Sequence, residues 1–169
     1  VVLPIIAQYP KNLKVWRVHR RAAPDAAGHQ FSFIFYADAG TAKHVFTQIK
    51  TNSWVVSLIE HDIIRNLKLD DPDKPYASEI GATSDSNWDP IIQDTWPFFI
   101  EGVCRQWLAL IDKLAVQRPL ENHQTVQPTL EYYESIQSDI NALWSNHGQH
   151  AYLHHLNAIF GYRPFLIRF

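Results

Sequence analysis

From Asp89 to Leu114 the chain reads DPIIQDTWPFFIEGVCRQWLALIDKL. Asp89-Pro90 is a helix-start pair: a capping carboxylate, then a proline at a position whose N–H would go unused. At about 100° per residue, Trp96, Phe99, Ile100, Val103, Trp107, Leu110, Ile111 and Leu114 share an arc about 120° wide. Glu101, Arg105 and Asp112 fall opposite. The spacing predicts a long amphipathic helix with Trp107 at the centre of its buried stripe, serving as the spine of the core. Pro97 lies inside the run, so a kink or a restart is expected there. Phe98 and Leu108 project from the polar side, where another layer or a partner subunit would cover them.

Working outward, the 169 residues suit a single domain spanning 1–169. Hydrophobic residues make 46% of the chain and charged residues 19%, a balance that favours a packed globule over a disordered chain. The net charge of −2 gives no nucleic-acid footprint. The basic cluster Arg17, His19, Arg20, Arg21 reads as a solvated strand end. No apolar run approaches the ~18 residues that a membrane span needs, and no cleavable leader is visible. Nine histidines would charge below about pH 6 and turn the balance positive. The lone Cys104 forms no internal disulfide, suits a reducing cytoplasmic setting, and is expected as an inert buried thiol.

Four segments read as strands: Leu13–Arg20, Phe31–Tyr36, Ile63–Leu69 and Pro164–Phe169. Between them, Asp38 offers a cap for a helix carrying Ala42, Val45, Phe46 and Ile49 on one face. Asn52 or Ser53 caps a second helix, with Trp54, Val55, Leu58 and Ile59. The stretch 70–89 lacks apolar periodicity and reads as a long connection, of a length that is often functional. Pro128 opens a helix with Tyr132, Tyr133, Ile136, Ile140, Leu143 and Trp144 on its buried arc. A shorter helix follows over His150–Phe160, with Gly148 ending or kinking its predecessor. The expected fold is α+β: a single sheet of about four strands packed against several helices, with the long helix as spine.

Two groups carry candidate chemistry. His150 and His154 stand four apart, on the side of their helix away from Tyr152, Leu153, Leu156, Ile159 and Phe160. Two imidazoles at that spacing chelate a transition metal if further ligands arrive from elsewhere. No Glu or Cys accompanies them as in HExxH. The second group is aromatic. Six Trp, seven Tyr and nine Phe exceed what one core is expected to absorb. Trp88, Trp96 and Phe98, at the start of the long helix, are the candidate ligand-binding residues, beside an apolar concavity under the 70–89 connection. Glu60, His61 and Asp62 form a consecutive acid–base triplet, but neighbours in sequence need not converge. No nucleophile elbow and no phosphate-binding glycine loop is present. The residues 85–89 open like a calcium loop, but Pro90 replaces its glycine and Trp96 its glutamate. Asp70, Asp71 and Asp73 read as a solvated turn. No cofactor and no catalytic residue is assigned.

The phrases WPFFIEGV at 96–103 and HLNAIFGYRP at 155–164 resemble segments of small uncharacterised bacterial proteins, some carried on integron gene cassettes. The resemblance covers about a third of the chain and implies a bacterial cytosolic protein without a ligand set to transfer. The combined expectation is a non-enzymatic binding protein for a small apolar or aromatic ligand or a protein partner. It is expected to be a homodimer without nucleic-acid or membrane partners. The alternative is a metal-dependent enzyme using His150 and His154.

Overall fold

The computed structural model describes residues 1–22, 29–74, 80–119 and 125–162. It is α+β and divides into two compact units, Val1–Ala109 and Leu110–Phe169. In the first unit α1 (Val2–Gln8) precedes strand β1 (Val15–Ala22) and strand β2 (His29–Tyr36). Helices α2 (Ala39–Thr51) and α3 (Ser53–Glu60) follow, then a 3-10 turn at Ile80–Thr83 and the start of α4 (Pro90–Gln117). The strands pair antiparallel, from Val15 opposite Tyr36 to Ala22 opposite His29. Among the described residues the sheet has these two strands, not about four. Ile63–Leu69 alternates like a strand but is irregular. Its ladder groups find no neighbouring strand among the described residues, and alternation alone does not make a sheet. The expected strand Pro164–Phe169 lies outside the described residues.

The caps follow the sequence closely. The Asp38 carboxylate accepts the Thr41 N–H at 2.8 Å and the Thr41 hydroxyl at 2.8 Å. Asn52 Oδ1 accepts from Trp54 and Val55, and Asp89 Oδ1 accepts the Ile91 N–H at 2.9 Å. Each supplies an acceptor to helix-end N–H groups that otherwise lack one. Val45 on α2 and Val55 on α3 are buried, on the faces expected. The hydrogen bonds from Thr41, backbone N–H first and hydroxyl second, hold the Asp38 carboxyl below its usual range. A folded pKa below the unfolded one adds stability above the unfolded value, and that stability is lost as pH falls through the folded value. Asparagine caps nearly as well as aspartate. Asp38→Asn is therefore expected to keep its neutral-pH melting temperature and to lose less of it than wild type on acidification. Parallel melting curves from pH 7 down to acid check this; equal acid losses would refute it.

Helix α4 runs unbroken through Pro97. Proline has no N–H for the carbonyl four residues back. That carbonyl, of Gln93, accepts the Ser84 hydroxyl at 2.7 Å instead. The buried side of α4 differs from the expected arc. Pro97, Cys104 and Leu108 are buried, whereas Phe99 and Val103 stand 50% and 46% exposed and Phe98 58%. The most buried side is thus displaced from the expected arc toward Pro97, Cys104 and Leu108, while Trp96, Ile100, Trp107, Leu110, Ile111 and Leu114 stay half-buried. The cause lies on β1. Val18 leaves its backbone polar groups on the edge away from β2; its N–H donates to Cys104 Sγ at 3.3 Å and the thiol donates to its carbonyl at 3.5 Å. Cys104 thus closes part of an edge that would otherwise stay open. Trp16, 2% exposed, fills the core beside it, tilted on Phe33 with ring centres 6.4 Å apart.

In the second unit, α5 (Val126–Leu143) runs into a π-helix (Trp144–His154) and a short α6 (His155–Ile159). Val126, Ile136 and Ile140 are its buried side chains. Tyr133, Leu143 and Trp144, expected on the same buried arc, are exposed. Gly148 does not end a helix. It sits inside the π-helix, and a Cβ there would come 2.8 Å from the Trp144 indole. Trp144 lies over this bare position and stacks on Tyr152 at 5.7 Å and 14°. The Tyr132 hydroxyl lies within donating distance of the carbonyls of Arg118, at 2.8 Å, and Ala115, at 3.1 Å. It thereby serves the unpaired end of α4.

Candidate functional site

The candidate ligand-binding residues separate. Trp88 and Trp96 meet edge to face with ring centres 5.2 Å apart. The Arg17 guanidinium lies 5.1 Å from the Trp96 ring centre and donates to the Thr83 carbonyl at 2.8 Å. Burial lowers the Arg17 pKa from its ordinary value. Arg17 is thus a packed cation–π partner and not part of a solvated basic end. Phe98, two residues beyond Trp96, is turned about 200° around the helix and points outward. The concavity beside Arg17, bordered by Ile80 and Thr83, has a volume of about 10 Å³, room for one water. A larger cleft of about 440 Å³ lies elsewhere in this unit, lined by α1 and by polar groups such as Gln8, Gln48, Thr51 and Ser53.

The outward face of α4 in the first unit is uncovered. Ile91, Ile92, Phe98, Phe99 and Val103 are exposed along it, with Thr95, Gly102, Gln106 and Ala109 between and beyond them. None of these nine is charged. The charged residues of this stretch, Asp94, Glu101 and Arg105, cluster on another side. Arg105 is held there by Glu101, with Nε 2.9 Å from the carboxylate, and rests over Trp16 at 5.1 Å.

His150 and His154 are brought together, and His155 joins them. Their ring centres are 5.2 Å apart for 150–154, 5.5 Å for 150–155 and 5.4 Å for 154–155. In an α-helix the fifth residue lies about 140° past a full turn, away from the first. Where hydrogen bonds run i→i+5, the turn is wider and the fifth residue returns to the same side. The π-helix at 144–154 is therefore why His155 approaches His150, and why a reading at 100° per residue misses it. Tyr162 completes the group, 5.7 Å from the His154 ring. Gly161, at φ 72°, turns the chain back after α6, and the Tyr162 N–H donates to the Asn157 carbonyl at 2.8 Å. Tyr162 itself takes φ 55°, a backbone region uncommon for non-glycine residues. Among the described residues, no group of three or more His, Cys, Asp or Glu could hold a metal ion.

The remaining polar candidates do not assemble. His61 Nδ1 lies 2.8 Å from the Ser57 carbonyl, while Asp62 takes φ 61° at the end of α3. Among the described residues, no hydrogen bond links the side chains of Glu60, His61 and Asp62. Asp71 accepts the Asp73 N–H, and Asp73 pairs with Lys43 at 2.7 Å. Among the described residues, no helix is long and apolar enough to cross a membrane. The sequence matches no protein-family model, no curated protein and no solved structure.

Proposed function

We propose that this chain is a non-enzymatic protein-binding protein whose working surface is the outward face of α4, and that the partner seated there is a second copy of the chain. The observation that carries this reading is Gly102. Glycine within a helix costs about 1 kcal/mol relative to alanine. A Cβ at Gly102 would meet nothing within 4 Å. Packing inside the unit therefore gives no reason for the missing side chain, whereas a second backbone passing close by would. The face around it is exposed, largely apolar and uncharged, which suits another protein surface better than a small enclosed ligand.

The distribution of bulk favours a second copy. Ile91, Ile92, Phe98 and Phe99 lie on the N-terminal side of Gly102; the smaller Val103, Gln106 and Ala109 lie on the C-terminal side. An antiparallel copy crossing at Gly102 sets the bulky half of each helix against the small half of the other. A two-fold axis makes each such contact twice. Sedimentation equilibrium over a micromolar concentration series is expected to show a reversible monomer–dimer equilibrium. A mass fixed at one chain across the series would overturn the reading.

A further inference from the structure

The geometry points to a second, separate interaction surface: the outer edge of β2 takes an extended acidic peptide of another protein as an added antiparallel strand. Val18 turns its backbone groups to the outer edge of β1, and alternate residues of an antiparallel ladder do the same. On β2, Phe31, Phe33 and Phe35 stand opposite Arg20, Val18 and Trp16, so their N–H and C=O groups point away from β1. Among the described residues, no hydrogen bond reaches these groups and no further strand runs beside them. The two edges of the sheet thus differ. Cys104 serves the Val18 groups on β1, whereas the three phenylalanines of β2 have no such partner among the described residues.

Strand edges are ordinarily blunted by charge, proline or a bulge. β2 reads HQFSFIFY, without Lys, Arg, Asp, Glu, Pro or Gly, and it pairs with β1 in unbroken register. Such an edge accepts one kind of occupant, another extended backbone. Charge sets the chemistry of that occupant. Arg20 and Arg21 stand opposite Phe31 and Gln30. An added strand lies about 10 Å from β1, two strand spacings away, so a long basic side chain on β1 and a glutamate on the added strand meet over β2. Arg20 shares its face of the sheet with Phe31, Phe33 and Phe35. The fitting segment therefore carries apolar residues at alternate positions, against the phenylalanines, and acidic residues at the end beside Arg20. The β2 strand of a second copy fits less well, because it brings no carboxylate of its own to the arginines.

The probe is a synthetic peptide, acetyl-Thr-Val-Thr-Val-Thr-Glu-Glu-amide, titrated into the isotope-labelled full chain and followed by its amide resonances. The expected result is saturable binding, with the amides of Phe31, Phe33 and Phe35 moving most. Of the two peptides N-methylated at alternate residues, the one whose methyl groups face β2 is expected to bind at least about tenfold more weakly, and the other about as well as the parent. Lys-Lys in place of Glu-Glu is expected to weaken binding by a similar factor. Phe31→Pro removes an outward donor and none that β1 uses, since proline is tolerated where its missing N–H would face solvent. It is expected to keep its far-UV circular dichroism and to lose peptide affinity at least about tenfold. Should that variant not fold, the N-methylated peptides carry the test on the native chain. Phe98→Asp, on α4, is expected to leave peptide affinity unchanged, which separates this edge from the α4 face. Absence of saturable binding, or affinity indifferent to N-methylation, would overturn the proposal. So would outward amides that gain exchange protection as the concentration of the chain alone rises, the mark of a second copy on the edge.

Discussion

Trp16→Ala is expected to lose about 3–5 kcal/mol of folding stability, the usual range for truncating a buried large aromatic. Trp16 is 2% exposed on β1. It packs on Phe33 from β2 and lies under the Arg105 guanidinium from α4. Its removal therefore opens a cavity where sheet and helix meet, and it withdraws the ring that Arg105 rests on. Total stabilities of domains are about 5–15 kcal/mol, so the loss is a large fraction of the whole. No hydrogen bond is lost with the ring, because Trp16 Nε1 has no partner among the described residues. Trp16→Phe should accordingly cost much less than Trp16→Ala. Urea unfolding of both variants checks this, and a wild-type midpoint for Trp16→Ala would contradict the assigned core.

The second large effect concerns association. Phe98→Asp is expected to weaken self-association by about 2–4 kcal/mol, the cost of losing a central anchor. In dimer dissociation constant this is about 30- to 1,000-fold. The same substitution should alter the stability of the isolated chain little, because Phe98 is 58% exposed. The pair of measurements separates surface from core. A variant that dimerises as tightly as wild type would remove Phe98 from the interface.

The sequence revealed helices more readily than it revealed which way they face. Asp38, Asn52 and Asp89 could be read as caps because capping is local: side chain and target N–H lie two or three residues apart. The rotation of α4 could not be read, because apolar residues occur almost all around it. Leu108, placed on the polar side by periodicity, is buried, while Phe99 and Val103 are not. The deciding interaction is the pairing of Cys104 with the Val18 backbone, 86 residues away in the chain. The same rotation transfers the largest expected truncation cost from Trp107, which is half-buried, to Trp16. His150 and His154 were legible as a pair from their spacing. His155 was not, since its approach depends on a π-helix that has no signature in a period of 3.6 residues. For Ile63–Leu69 the alternation is present, but no partner strand lies among the described residues.

The central claim is that a second copy crosses the outward face of α4 at Gly102, and a cysteine at that position tests it most directly. On a two-fold axis a residue faces its own counterpart, and a disulfide forms when the two Cα atoms come within about 7 Å. The native Cys104 is buried and does not compete. The measurement is the rate of disulfide-linked dimer formation by Gly102→Cys under mild oxidation, set against an exposed control on α5, Ser138→Cys. The account predicts that Gly102→Cys cross-links rapidly and nearly completely, and that adding Phe98→Asp slows it to the control rate. Cross-linking of Gly102→Cys no faster than Ser138→Cys would contradict it.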